Sequence, residues 1–336
     1  MPCRGASTLR FGASCLKNTA DIAADPCFIC GGTAFGRPTP HYKRCTACGH
    51  QSLLAGVAAA VAANSNDAAA TALREGIVND RLDDVAFDKR NGLDRFKQAV
   101  LRRATRSKAL LVDIGSASGR FLQQNRAAFD QAVGIEVTPA CVAFARQLGL
   151  RIETDLAEVR EPPTVVTFWH SLEHVPAEVI VAMLAQLQAQ ATPELVLLIS
   201  VPNAASLQLA ALKTGFAYYD IPHHLHQFSP ESLDTLLGNY GFVRGRDFPS
   251  LSYASFGWLQ GLLNLCNARH DYLYYRRKRG WDFGLSPFHR ARLDAYNMAL
   301  AGLFLAPAAA LTLHDLVLHR RAGVLTVSYH PHAVVA

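Results

Sequence analysis

Ala109-Leu-Leu-Val-Asp113-Ile-Gly115-Ser116-Ala117-Ser-Gly119 is the stretch that decides the fold of this 336-residue chain. An apolar run ends in an acid, and small residues then stand at alternate positions before helix-like sequence begins at Arg120. That order describes a buried strand feeding a tight turn whose backbone a ligand can approach closely. A second apolar strand, Gln131-Ala-Val-Gly-Ile-Glu136, ends in another acid about 20 residues further on, a placement suited to gripping the hydroxyls of a ribose. Together they predict a site for an adenosine-containing cofactor. Spacing narrows the choice: a dinucleotide fingerprint needs its third glycine where Arg120 stands. An ordinary strand, turn and helix with small residues used only for packing gives the same local pattern.

Outward from this turn, strand and helix signals alternate. Strands are expected at 109–113, 131–136, near 151–153, at 164–169 and at 194–201, with helices at 118–128, 139–148 and 176–191 between them. A helix over 91–107 leads into this unit, with Leu93, Phe96, Val100 and Leu101 at helical spacing. Ser229-Pro230 is a good cap and first-turn pair for a helix over 230–240. A strand near 242–248 and a late strand over 323–329 complete the set. The expected fold is α/β: a Rossmann-like, seven-stranded, mainly parallel sheet with helices on both faces.

A separate small module precedes it. Cys27-Phe-Ile-Cys30-Gly-Gly and Cys45-Thr-Ala-Cys48-Gly form two Cys-x-x-Cys hooks, each followed by glycine, which match a zinc ribbon. Four thiolates close a tetrahedral shell, so the zinc is expected to be structural. A redox dithiol is the rival reading, although one pair would serve for that. His41 and His50 are alternative ligands. The domain plan is therefore a disordered extension over 1–22, a ribbon over 23–52, a linker with helices over 53–90 and the main domain over 91–332. A helical cap is inserted at about 251–321. Cys3 and Cys15 have no evident sequence partners.

The acid inside the turn, Asp113-x-Gly115-x-Ala117-x-Gly119, resembles motif I of the class I S-adenosylmethionine-dependent methyltransferases. The resemblance implies that Asp113 lies near the methionine part of the cofactor, that Gly115, Ser116, Ala117 and Gly119 pass beneath it, and that Glu136 binds the ribose. The family usually has glycine where Ala117 stands. It also commonly places an acid beside the adenine amino group after the third strand, which here implies Asp155, with Leu156 flanking the ring; an unassigned surface acid is the alternative. The resemblance further implies that the last strand runs antiparallel.

Phe168-Trp169-His170-Ser-Leu-Glu173-His174-Val resembles the post-strand segment of small-molecule methyltransferases, and Phe168 and Trp169 are expected to line the cofactor and methyl-transfer pocket. Residues 218–230, with His223, His224, His226 and Phe228-Ser-Pro, resemble the substrate-side segment of the same group. Some zinc-ribbon sugar C-methyltransferases carry Glu-His where His223-His224 stands, and they have a third C-terminal module that is not seen in this sequence. His224 is the first candidate general base, followed by His174 and His223, because neutral imidazole titrates near the working pH. Structural, hydrogen-bonded histidines are the alternative.

Composition bounds the remainder. Half of the residues are hydrophobic and 18% are charged, which describes a globular chain. The net charge of +6 comes from scattered Arg and Lys, with one dense run at Arg276-Arg277-Lys278-Arg279. No basic-aromatic track marks a nucleic-acid surface. The paired cysteines and the lack of a continuous apolar core in residues 1–20 point to a reducing, cytoplasmic setting. Met298–Leu313 is nearly all apolar but short for a membrane span and interrupted by Pro307, so it is expected as a buried cap or a homodimer face, with peripheral membrane contact as a further option. The function expected is S-adenosylmethionine-dependent methyl transfer to a small molecule, such as a sugar nucleotide or secondary metabolite. The alternatives are a zinc-ribbon ribosomal-RNA methyltransferase, a nicotinamide oxidoreductase and a non-catalytic methyltransferase-like scaffold.

Overall fold

Hooks rich in cysteine and glycine leave room only for short strands at the N-terminal end. These are β1 (Phe35–Gly36), β2 (Tyr42–Cys45) and β3 (Gln51–Leu53), paired antiparallel in that order. The computed structural model describes residues 25–57, 91–221 and 223–332. The expected extension over 1–22, Cys3, Cys15 and most of the 53–90 linker lie outside the described residues.

The main domain opens with α1 (Gly92–Ala104), whose Asn91 and Asp94 form a reciprocal capping box. Then follow β4 (Leu110–Ile114), α2 (Arg120–Asn125), β5 (Gln131–Ile135), α3 (Pro139–Gln147), β6 (Arg151–Glu153), β7 (Val165–Trp169), α4 (Ala177–Ala189) and β8 (Val196–Pro202). After these come α5 (Leu207–Leu212), β9 (His226–Gln227), α6 (Pro230–Gly238), β10 (Phe242–Asp247), α7 (Leu251–Leu265), α8 (Tyr272–Arg279), α9 (Pro287–Val317) and β11 (Val324–Pro331). The helix expected over 118–128 is shorter, ending at Asn125 and passing into a 3-10 turn over Arg126–Ala128.

Seven strands form one sheet in the order β10-β11-β8-β7-β4-β5-β6. β8, β7, β4, β5 and β6 run parallel, and β11 lies antiparallel to both of its neighbours, as expected. β4, β7 and β8 are buried along their whole length, which explains why they read as continuous apolar runs without alternation. Their side chains feed two cores. One joins Val112, Phe168 and Ile199 to the leucines of α4 and α6 and to the ribbon cysteines; the other joins Leu111, Val165 and Leu198 to α1, α2 and α3. Helices thus cover both faces.

The sheet order puts the carboxyl ends of β4, β5 and β7 side by side, which is where an open parallel sheet places its ligands. The ribbon is not a free appendage. β9 adds to it as a fourth strand, antiparallel to β3, with Gln51 opposite Gln227 and Ser52 opposite His226. The N-terminal module therefore shares a sheet with a segment of the main domain.

The insertion between β10 and β11 corrects one expectation. α9 carries its helix through Pro307 as a single 31-residue element, long and apolar enough by length and composition to cross a membrane, and only 17% of its most apolar window is buried. It is not a buried cap. One side packs on α7, with Trp258 and Ala308 in a shared cluster, and the opposite side is open.

Candidate active site and metal centre

The turn after β4 is shaped by close approach. Gly115 and Gly119 both adopt left-handed backbone, with φ of 74° and 76°, and a Cβ at either would collide, with Ser171 in the first case and Leu150 in the second. Ala117 also sits at φ 50°, in a region that a side chain tolerates poorly. Alanine at a position where methyltransferases of this class usually have glycine therefore carries backbone strain. Its conformation is held from outside: the Ala117 N–H donates to Glu136 Oε2 at 2.7 Å.

Glu136 is buried, and its other oxygen accepts from the Val137 and Thr138 amides at 3.0 and 2.8 Å. The carboxylate so ties the β4 turn to the end of β5. Asp113 is buried inside the sheet end, where the Thr167 hydroxyl donates to it at 2.6 Å. Burial pushes its carboxyl up to about 6, against the pull of the Thr167 hydrogen bond and of Lys97. Three buried polar atoms border this corner without a hydrogen-bond partner: Ser116 Oγ, Ser171 Oγ and Trp169 Nε1. Trp169 packs edge-on to Phe121 and lies under the Lys97 ammonium, 5.2 Å from the ring centre. Unsatisfied donors and acceptors in such number at one strand end mark a place built for a polar guest.

Other expected cofactor residues fare differently. Asp155 is exposed and caps the 3-10 turn Leu156–Glu158 by accepting from the Ala157 amide at 2.8 Å. Leu156 does not face a ligand; it is sealed in the core with Val112 and Val133. Phe168 is likewise fully buried in that core, because its side chain points to the opposite sheet face from Trp169. Only Trp169 of the aromatic pair is placed to border a pocket.

The second half of the site begins where the first ends. His170, at φ 55°, turns the chain out of β7, and the 3-10 turn Leu172–His174 follows. Glu173 is fully buried at its centre. Its Oε1 lies 3.2 Å from His170 Nδ1 and 4.0 Å from His224 Nε2, while Oε2 has no partner. Burial pushes this carboxyl up, but the hydrogen bond with His170 and the neighbouring His170, His174 and His224 outweigh that and hold it below the ordinary value. His224 is itself buried, which lowers its imidazole to about 4 despite the nearby Glu173.

His174 is the exposed member. Its Nδ1–H donates to the His223 carbonyl at 3.0 Å, which leaves a lone pair on Nε2, and its ring meets that of His224 edge-on at 4.6 Å. His223 turns away to bond Asp220 at 3.0 Å, outside the cluster. The structure thus brings His174 and His224 together but not His223. Glu173, the hub, has no role in the sequence reading beyond its place in the segment that follows β7. Tyr253 from α7, whose ring packs on His170 at 4.9 Å and whose hydroxyl is buried without a partner, had no sequence signal beyond a helical run.

The ribbon cysteines converge as their spacing demands. Cys27 and Cys48 Sγ are 3.6 Å apart, Cys30 and Cys45 Sγ 3.5 Å, and all four lie within 4.8 Å of one another. A tetrahedral Zn–S shell with bonds of about 2.3 Å separates its sulfurs by roughly 3.8 Å, so the set fits such an ion. His41 and His50 are not needed for that shell. His50 packs instead against His226 and Phe28.

Several contacts carry this module to the histidine segment. Tyr42 OH donates to the His224 carbonyl at 2.8 Å, Ser229 Oγ to the Cys48 carbonyl at 3.3 Å, and Asn239 Nδ2 to the Ile29 carbonyl at 2.7 Å.

Several solved structures are similar in fold. The cyclopropane synthase MmaA2 from Mycobacterium tuberculosis is 14% identical over 70% of this chain and 82% of its own, with a TM-score of 0.43. A SAM-dependent methyltransferase from Archaeoglobus fulgidus is 16% identical over 70% of this chain and 94% of its own, with a TM-score of 0.40. The amino pentose methyltransferase CalS10 from Micromonospora echinaspora is 24% identical over 34% of this chain and 52% of its own, with a TM-score of 0.28. No curated protein matches the chain. Residues 88–243 match the family model of a methyltransferase domain. That span contains the β4 turn, Glu136, Trp169 and the whole histidine cluster, so the region built around this site is similar to a methyltransferase domain, and the chain is an enzyme.

Proposed function

We propose that the chain transfers a methyl group from S-adenosylmethionine to a small-molecule acceptor, with a histidine removing the acceptor's proton. The observation that carries this reading is the corner formed by Gly115–Gly119, Trp169 and Ser171, where two glycines permit close approach and three buried polar atoms await partners. These residues fit the cofactor: Glu136 stands at the end of β5 for the ribose, and Asp113 and the Trp169 side of the corner for the methionine part. Asp155 is the acid nearest the expected adenine edge. When bound, S-adenosylmethionine supplies an electrophilic sulfonium methyl group.

The protein's share of the work is positioning, desolvation and proton removal. Trp169 and Phe121 form the apolar wall that keeps water from the reacting centre. His174 is the better base than His224. Its Nε2 is open, while His224 is enclosed and its nitrogens face Glu173 and Gln227. The Glu173 carboxylate stabilises positive charge on the imidazole cluster after proton transfer. Zinc held by Cys27, Cys30, Cys45 and Cys48 has a structural role, since four thiolates leave no open position.

Titration calorimetry with S-adenosylhomocysteine tests the core of the proposal. Binding by the wild type, weakened in Glu136→Ala, is the expected result; the absence of binding by the wild type would falsify it.

A further inference from the structure

α9 is built inside out. Beside Ala308, the side chains it buries are polar: Asn297 and Asp315 are fully buried, and Thr312 nearly so. Asp315 accepts from Trp258 Nε1 at 2.9 Å and from Gln208 Nε2 at 2.7 Å, and Asn297 pairs with Asn267. The side chains it turns outward are apolar. Leu303 and Val317 are 68% exposed, Leu313 63% and Leu305 62%. No charged side chain interrupts the helix from Ala295 to Leu313. Leu251 and Leu265, at the two ends of α7, are also more than half exposed. A face of this kind on one helix is unusual for a surface in water, where the polar side normally faces out.

What flanks the face selects its occupant. Arg276, Arg277, Arg290 and Arg292 lie near one end, where Asp294 pairs with Arg276 and Asp282 with Arg290, and Arg320 and Arg321 lie at the other, where Asp234 pairs with Arg320, so the cations outnumber the acids. Arg277, Arg292, Arg320 and Arg321 are exposed. A second copy of the chain would bring the same cations against themselves in a self-complementary contact. An anionic lipid surface accepts both features, the apolar stripe among its acyl chains and the flanking guanidinium groups at its headgroups.

The polar side of α9 is docked on α7 and α5, so the helix lies along the domain. That geometry suits an in-plane attachment, with the docked face kept out of lipid.

We infer that the exposed face of α9 seats the enzyme on an anionic membrane surface. This attachment is independent of the methyl-transfer chemistry. The test is co-sedimentation of the full chain with phosphatidylcholine vesicles, with and without phosphatidylglycerol. The chain should pellet with the anionic vesicles, and less so as salt rises towards about 0.5 M, where surface charge is screened. Leu303→Asp with Leu313→Asp should lower the pelleted fraction about tenfold, because each change puts a charge on the lipid-facing side. Arg277→Glu with Arg321→Glu should weaken pelleting with anionic vesicles alone. These side chains are exposed, and an unchanged thermal melt confirms folding of each variant. The inference is overturned if the wild type stays in the supernatant with both vesicle types. It is also overturned if the leucine variant pellets like the wild type, or if that variant merely splits a soluble dimer that shows no affinity for vesicles.

Discussion

Two buried glutamates, Glu136 after β5 and Glu173 after β7, are satisfied in opposite ways. Glu136 spends both oxygens on backbone amides, those of Ala117, Val137 and Thr138. Its charge is neutralised by fixed dipoles, so it shapes a loop. Glu173 accepts from no backbone amide and keeps one oxygen without a partner; its neighbours are the imidazoles of His170, His174 and His224. Its charge is balanced by groups that gain and lose protons. A buried carboxylate held by amides is fixed in place and can offer its remaining lone pairs to a ligand, whereas one surrounded by imidazoles can take part in proton movement.

The largest expected effect falls on the second glutamate. Glu173→Gln keeps the shape and removes the charge, and it should lower kcat by about 10²–10⁴-fold, the usual share of acid–base catalysis. A role in proton handling also requires the kcat–pH profile to move, which a purely structural role would not produce. Glu136→Ala comes next. S-adenosylhomocysteine should bind about 10–100-fold more weakly in calorimetry, because one charged hydrogen bond is worth roughly 1.5–3 kcal/mol. If the two variants gave the same phenotype, the division between them would fail.

Metal removal should act on the histidine side before the cofactor side. Chelation, or Cys45→Ser, should lower the melting temperature and slow turnover, while homocysteine-product affinity falls less. Equal loss of both would show that the ribbon supports the whole domain and not the His224 segment.

Acid should act there too. Burial lowers both His224 and His226 to about 4, below the ordinary histidine value of 6.5. The unfolded chain then binds more protons than the folded one between those values, so this stability is present above pH 6.5 and is lost as pH falls towards 4. Each histidine accounts for on the order of 3 kcal/mol. Denaturant melts across that range should show the decline, and His226→Gln should flatten it.

The smallest effect belongs to the turn. Ala117→Gly relieves a left-handed alanine and should raise stability by up to about 1 kcal/mol, with cofactor affinity little changed. A loss of stability would mean that the Ala117 conformation is not strained.

Much of this was legible because it is local. The β4 turn, its acid and the fully apolar strands are encoded by neighbours in sequence, and the mainly parallel, seven-stranded sheet followed from their alternation with helices. The cysteine hooks were equally plain, since two thiols at fixed spacing point one way. The reading failed where burial depends on partners far away. Phe168 and Trp169 are adjacent, and only the face of the finished sheet decides which borders a pocket. His223 and His224 differ in the same way, one turned to Asp220 and the other enclosed beside Glu173. In α9, apolar composition suggested a buried cap or a dimer face, because composition cannot reveal that Asn297, Thr312 and Asp315 are the residues facing inward.

The pairing of β3 with β9 has a consequence for how the chain comes to be folded. Gln51 and Gln227 meet across most of a domain, and Tyr42 reaches a carbonyl 182 positions later. The ribbon precedes the main domain in synthesis, yet its sheet stays one strand short until the histidine segment has emerged. Long-range closures of this kind form late. The edge of β3 is therefore left bare in any partly made or partly folded chain, a template for wrong pairing. Its capping by β9 and the assembly of the histidine cluster are one event, so a molecule with a finished N-terminal sheet is also a molecule with a finished histidine cluster.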